Sequence, residues 1–364
     1  MVDAPRLIVI RFLAALLATC CFATSSHAVG LRDDVVGVQS NGLSNPYVDF
    51  GSMFDSVVRL SWQTRRGTFY GTGTLVSSTD AGEFKILTAA HNVDGNSGAV
   101  FPDGIIDADY YTVEFGDNTS SITHVVEIEK ADVAQNPRWY AGDPFGTGLS
   151  RGAGQFDVAV LSFDASDLTL GSVGSLPNPY RVADEVPLGT TGILVGYGRT
   201  GVGSDFAGNL SDNRLAGENV IDTADALSGA PNDGFTLRAD FDSPDLLTSV
   251  PGYDGNIASL EASSAVGDSG GPLLLPSYTH PTVVGVLHGG YNDVGGISEY
   301  GDVSVWASTN DEINKAFLEA NGVAFFASEV ASSSVAAFAV PEPNGSLACM
   351  VGMLSLLRLR QQRR

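Results

Sequence analysis

The chain predicts an all-β fold, a sandwich or a barrel, and three observations carry that reading. Eleven short runs of β-branched and aromatic residues are each bounded by Gly, Asn, Asp or Pro. Glycine makes up 43 of 364 residues with no collagen-like period, so it marks many tight turns. One segment alone carries a helical pattern, and it lies near the end of the chain. With 43% hydrophobic residues, this length can bury one sizeable core or two small ones without metal or disulfide staples. No internal repeat at solenoid or propeller spacing accompanies these runs.

At the N-terminus, Arg6 and Arg11 precede the apolar run 12–23, and Ser26-His27-Ala28 offers small residues for cleavage. That anatomy predicts a secretory signal peptide over 1–28, too short to span a membrane as a helix. A buried core helix is the competing reading, opposed by the terminal position and by Asp33 and Asp34 just beyond. A lipoprotein signal would want a residue smaller than Thr19 before Cys20. Residues 29–52 are polar and glycine-bearing, and read as a pro-segment or loose lead-in.

The β-type runs then follow at 57–62, 68–76, 84–88, 111–115, 123–128, 158–163, 192–197, 234–240, 271–275, 282–287 and 302–306. The helix is predicted over 309–321. Thr309 with Glu312 makes a capping-box pattern, Ile313, Phe317 and Leu318 supply the apolar stripe, and Gly322 stops it. Residues 326–339 are mostly small, with Glu329 the one charge, and read as a linker. In the tail 340–364, Val340-Pro341-Glu342-Pro343 precedes an apolar stretch and then Arg358, Arg360, Arg363 and Arg364. A frayed hydrophobic terminus is the plainer account. The order of proline, apolar run and basic end nevertheless resembles the PEP-CTERM sorting signal of Gram-negative bacteria. The resemblance implies export across the inner membrane and transient attachment there through the tail. Signal peptidase and an exosortase-like enzyme would be the processing partners, leaving the product secreted or at the cell surface. The basic end agrees with the positive-inside tendency.

Those ends change the composition of what lies between. Cys20 and Cys21 fall in the signal and Cys349 in the tail, so the exported domain has no cysteine for disulfides. Residues 29–340 carry 13 basic against 40 acidic side chains, a net charge of −27. Such a surface repels nucleic acid and anionic membrane and keeps the domain soluble, which argues against a nucleic-acid partner.

Three segments carry chemistry: Leu87-Thr88-Ala89-Ala90-His91, Phe156-Asp157-Val158, and Gly267-Asp268-Ser269-Gly270-Gly271-Pro272. Acyl transfer needs a hydroxyl, a base to take its proton and a carboxylate to orient the base. It also needs donors for a developing oxyanion, which glycine-flanked backbone supplies by close approach. Each residue alone has a plainer reading as a core, turn or surface residue, and for His124 and His280 that reading stands. The third segment also fits the G-x-S-x-G elbow of α/β-hydrolases. That fold needs serine, then acid, then histidine. Only His280 and His288 follow Ser269, with no acid between, and helices are scarce.

In the order His–Asp–Ser, these motifs resemble the chymotrypsin/trypsin family of serine proteases from about residue 57 to 322. Gly71-Thr72-Gly73-Thr74-Leu75, Val195-Gly196-Tyr197-Gly198 and Val284-Gly285-Val286-Leu287 support the match. The resemblance implies two antiparallel six-stranded Greek-key barrels, about 50–170 and 180–308, within a domain spanning 53–325 and closed by a C-terminal helix. It implies His91 as general base, Asp157 as its orienting partner and Ser269 as nucleophile, with the N–H groups of Gly267 and Ser269 as the oxyanion hole. The expected function is an exported serine endopeptidase acting on proteins or peptides, with no cofactor and no catalytic metal. A Ca²⁺ ion on an acidic loop such as 102–117 rests on charge alone, since no ligand spacing there is diagnostic.

Departures from the family matter equally. Asn92 and Ala265 stand where relatives commonly carry disulfide cysteines. His288 stands where the family usually has a serine near the triad aspartate. It either fills that pocket or hydrogen-bonds Asp157 and alters the pH profile. Ser263 aligns with the floor of the primary specificity pocket, and Gly290 and Gly301 with its walls, which suits a large apolar or aromatic side chain. Asp268 matches the residue that pairs with a newly freed N-terminal amine. Val29 and Val35 are candidate termini, and internal satisfaction, for which Arg residues are available, is the other route. Two further functions use the same residues: an inactive surface-sorted binding protein on this fold, and an esterase with the same triad.

Overall fold

The computed structural model describes residues 29–36, 45–64, 67–94, 108–140, 154–225, 236–246, 250, 253, 257–276, 280–292 and 298–327. The segments read as signal peptide and sorting tail lie outside these residues, as do all but the first two linker positions and residues 102–107 of the acidic loop. The strands of the first half are β1 (Val29–Leu31), β2 (Val57–Thr64), β3 (Gly67–Val76), β4 (Phe84–Thr88), β5 (Tyr110–Phe115), β6 (His124–Glu129), β7 (Val133–Gln135), β8 (Ala159–Phe163) and β9 (Leu168–Leu170). Those of the second half are β10 (Arg181–Ala183), β11 (Thr191–Gly196), β12 (Arg199–Val202), β13 (Asp205–Leu210), β14 (Leu215–Val220), β15 (Thr223–Asp225), β16 (Thr236–Asp240), β17 (Ala262–Ser263), β18 (Pro272–Leu275), β19 (Thr282–Asn292), β20 (Asp302–Ser308) and β21 (Phe325–Phe326). All eleven sequence-marked runs are strands. The ten additional strands are mostly too short or too polar to show a period of two.

The fold is all-β, with two curled, barrel-like sheets. In the first, the order is β7-β8-β4-β3-β2-β5-β6-β9. β2, β3 and β4 form a meander and β5 returns beside β2, which is a Greek key. Six of these strands have five or more residues, matching the six-stranded expectation. The second sheet runs β14-β11-β18-β19-β20-β16-β15, again with a Greek key, since β16 lies beside β20 of the β18–β20 meander.

Each sheet curls around its own apolar filling. Leu60, Trp62, Ile86, Tyr111, Val113, Phe115, Val126 and Leu161 are buried in the first barrel. Leu194, Leu273, Val284, Val286, Leu237 and Trp306 are buried in the second. β8 and β18 are buried on both faces where they run between other strands, which explains their nearly continuous hydrophobicity, and β20 is buried throughout although it carries Asp302, Ser304 and Ser308.

Two parts of the chain differ from expectation. Of the span read as a loose lead-in, residues 29–36 and 45–52 are described and are packed: β1 is buried between β12 and β17, and the helix Pro46–Gly51 inserts Tyr47 and Phe50. The C-terminal helix is Glu312–Ala320, and its cap is Asp311, whose carboxylate accepts from the Ile313 and Asn314 N–H groups. Asp one residue before the helix outcompetes the Thr309 pattern, and Thr309 is buried instead.

The two barrels are tied by polar contacts. Arg214, the residue before β14, is 1% exposed, donates to the Gly51 and Val57 carbonyls, and pairs with Asp117 of the first barrel at 2.5 Å. Within the acidic loop 102–117, that carboxylate therefore has a guanidinium as partner.

Candidate active site

The site is built where β4 of the first barrel meets the loop before β18 of the second. β4 ends at Thr88, and one helical turn, Ala90–Val93, presents His91. Asp157 sits two residues before β8, which pairs with β4, so strand pairing sets the distance between them. Its carboxylate is fully buried. Oδ1 accepts the His91 backbone N–H at 2.8 Å, and Oδ2 lies 2.5 Å from His91 Nδ1. A carboxylate only accepts, so Nδ1 carries the proton and Nε2 is left as the basic nitrogen. Burial pushes the Asp157 pKa up, but the His91 charge and hydrogen bonds from His288 and His91 outweigh it and hold the group well below the usual carboxylate range. For His91, burial lowers the pKa, while the charge and hydrogen bond of Asp157 and the charge of Asp94 bring it above the ordinary imidazole value.

Ser269 is locked by its backbone against this pair. Its carbonyl accepts from Thr72 N at 2.9 Å and from Asn92 Nδ2 at 2.8 Å, and Asn92 is the neighbour of His91. Gly270 has φ +84°, and a Cβ there would land on Thr88 Oγ1 and the Thr72 carbonyl. Only glycine lets the nucleophile loop come this close to β3 and β4. Among the described residues Ser269 Oγ takes no hydrogen-bond partner.

The oxyanion-hole expectation can be followed through the peptide planes. The Val266 carbonyl accepts from Arg199 N, and the Asp268 carbonyl from Gly271 N. In a trans peptide the N–H points opposite to the preceding carbonyl, so the Ser269 N–H is turned out of the loop that holds the Asp268 carbonyl, and the Gly267 N–H points away from Arg199. Neither N–H is engaged by another described residue.

The structure brings His288 to the same carboxylate. Its Nδ1 lies 2.6 Å from Asp157 Oδ2, so of the two readings left open the hydrogen bond is the one found. His91, His288 and Asp157 offer a donor set that a transition metal accepts. Ligand atoms around a tetrahedral zinc stand roughly 3.3 Å apart, whereas both Nδ1–Oδ2 separations are hydrogen-bond lengths, 2.5 and 2.6 Å. As arranged, the trio is closed on itself by hydrogen bonds.

Asp268 is buried beneath the nucleophile and accepts from Gly198 N at 2.7 Å and Ala265 N at 2.9 Å. Among the described residues it is satisfied by backbone donors, not by an arginine. Burial pushes its pKa up to about 7. Gly196 and Gly198 are glycine because a Cβ at either would strike the Asp268 carboxyl group. Val29 is fully buried nearby in sequence register with Thr200, two residues past Gly198. Val35 lies in the turn Asp33–Val36.

Of the pocket residues, Ser263 is 2% exposed and its Oγ lies 3.3 Å from Ser304 Oγ. Gly290 pairs with Ser304, and a Cβ there would meet the Val303 carbonyl at 2.8 Å. Gly301, with φ +91°, forms the turn that opens β20. Sequence reasoning missed Trp139, whose ring lies 6.3 Å from that of His91 and 6.0 Å from that of His288. The one sequence sign of it is an aromatic residue in an otherwise polar connection.

No protein-family model and no curated protein matches the sequence. Among solved structures, the chain is similar to HL collagenase, with 16% identity over 76% of this chain and 96% of that one and a TM-score of 0.47. It is likewise similar to a thermostable serine protease, AL20, from an extremophilic microorganism, with 15% identity over 73% of this chain and 98% of that one, TM-score 0.47. The protease Anisep from Arthrobacter nicotinovorans gives 12% identity, 74% and 95% coverage and the same TM-score, 0.47.

Proposed function

We propose that the chain is an exported serine endopeptidase that hydrolyses peptide bonds through an acyl-enzyme on Ser269. One observation carries the reading: a buried carboxylate holds His91 by both its backbone N–H and its Nδ1, beside a serine whose carbonyl is tied to Asn92. In the proposed cycle His91 Nε2 takes the Ser269 proton as Oγ attacks the scissile carbonyl. Asp157 stabilises the imidazolium formed, and the N–H groups of Gly267 and Ser269 receive the oxyanion. His91 then protonates the leaving amine, and water repeats the sequence on the ester. Every step uses groups of the chain itself.

A serine-directed phosphonate should label the purified protein, and casein should be cleaved. Ser269→Ala should abolish labelling and lower kcat by roughly 10⁴–10⁶-fold. A wild-type protein that neither labels nor cleaves casein supports a binding role on this scaffold instead. The buried hydroxyl floor of Ser263 and Ser304 with glycine walls supports a preference for a large uncharged side chain at the cleavage site. Strong preference for Arg substrates over Phe, Tyr and Leu substrates would overturn that preference. Export and tail removal belong to the same proposal, and N- and C-terminal sequencing of the mature protein tests them.

A further inference from the structure

His288 has a place made for it. A register shift between Leu287 and Gly289 in the β19–β20 ladder leaves His288 as a bulge residue, and a bulge re-aims the side chain it carries. Its ring meets Trp139 edge-on, and Gly154 leaves room beside it: a Cβ at that glycine would stand 3.0 Å from His288 Cδ2. The His288 and His91 rings are perpendicular, with centroids 5.9 Å apart, and both Nδ1 atoms converge on one oxygen of Asp157.

We propose that His288 is a positioning residue of the triad, whose Nδ1–H shares Asp157 Oδ2 with His91 and divides the carboxylate's hold between two imidazoles. The inference rests on the protease reading and deepens it. An oxygen committed to two donors stabilises an imidazolium on either of them less than an oxygen committed to one. His288 therefore keeps His91 easier to deprotonate than Asp157 alone would, extending the base's working range towards lower pH. It also gives the buried carboxylate a third hydrogen bond that fixes its plane.

Among the described residues the groups facing this pair are few. From the helical turn Ala90–Val93 and the residue after it come His91 and Asp94, and Asp94 accepts from Trp139 Nε1. From the segment before β8 come Asp157 and the Phe156 ring, on which the Arg138 guanidinium rests. β18, Pro272–Leu275, presents no titratable group, and the one on β20 is Asp302 at its start, paired with Asn292.

The test compares wild type, His288→Ala and His288→Ser. It uses kcat/KM from pH 5 to 9, and NMR titration of the His91 ring in each background carrying Ser269→Ala. In His288→Ala the acidic limb and the His91 titration should both move up by about half to one pH unit. Plateau kcat/KM should fall by roughly 3- to 10-fold as Asp157 loses an orienting bond. Ser, which restores an O–H donor, should bring the titration part of the way back. A fall in activity with the limb and the His91 titration unmoved, or Ser and Ala behaving alike, overturns the proposal and leaves His288 as pocket filler. If Ala does not fold, Ser against wild type still reads the shift. Failure of the protease reading is separate: it appears as absent phosphonate labelling in wild type, while the NMR titration still reports on the shared carboxylate.

Discussion

Asn92 shows how much one side chain can carry. Its Nδ2 donates to Thr88 Oγ1 at 3.1 Å and to the Ser269 carbonyl at 2.8 Å, joining the turn that presents His91 to the turn that presents the nucleophile. Gly71 is glycine to admit it, since a Cβ there would stand 2.6 Å from Nδ2. Asn92→Ala should destabilise the protein by about 1–3 kcal/mol, the range for an orphaned buried partner, and lower kcat by roughly tenfold. Asn92→Asp, nearly the same shape, should cost more at neutral pH, because a carboxylate oxygen would face the Ser269 carbonyl. Equal Tm and kcat for wild type and both variants would remove this role. At this scale the pairing of His91 with Asp157 was legible, because acyl transfer restricts residue type and local setting at once. The tether was visible only as a departure from pattern, since nothing in an asparagine's own sequence context says what it bonds across 177 positions.

Elements of both halves meet where β3 and β4 touch the loop that carries Ser269. Thr72 alone makes four of these contacts: its N–H and Oγ1 donate to the Ser269 and Gly267 carbonyls, its Oγ1 accepts from Tyr197 N, and its carbonyl accepts from Thr88 Oγ1. Gly270 fits against this knot with φ +84°. Gly270→Ala combines left-handed strain with collision against backbone, and should destabilise by about 2–5 kcal/mol. Surviving enzyme should lose kcat more than KM, because the loop that moves bears Ser269. Denaturant unfolding together with steady-state kinetics checks both, and a variant as stable and active as wild type would show that this meeting point yields freely. Strands with alternating or continuously apolar residues were legible from periodicity. β1, β12 and β17 were not, because two to four residues carry no measurable period and their pairing is fixed only by tertiary contacts. The helix was legible, but its cap was placed two residues too early: Thr309 and Asp311 both offer side-chain oxygens, and only packing decides between them.

Over the whole molecule, the excess of acid extends from the surface into the interior. Burial pushes Asp302 up to about 6, Asp240 and Asp268 to about 7 and Glu261 to about 8. An acid whose pKa rises on folding keeps its proton in the folded chain where the unfolded chain has released it. Above about pH 4 and up to each raised value the folded form binds more protons, so stability falls as pH rises. His91, raised above its ordinary value, acts in the same direction, since its contribution is present below 6.5 and lost as pH climbs through the raised value. Asp157 and Asp34 are lowered instead, and their contributions are lost only below the ordinary carboxylate range. Repulsion within a chain of 42 acidic against 19 basic side chains adds a surface term of the same sign as the buried acids. The two are separable, because salt near 1 M shortens the screening length to about 3 Å and weakens the surface term far more than the buried one. Thermal unfolding should give a Tm at pH 5 higher than at pH 8 by at least about 4 °C, the shift that roughly 1–2 kcal/mol produces in a chain of this size. Most of that difference should persist in 1 M NaCl. A Tm that is flat or rises from pH 5 to 8 would mean that the buried carboxylates are ionised in the folded protein and have found cationic partners.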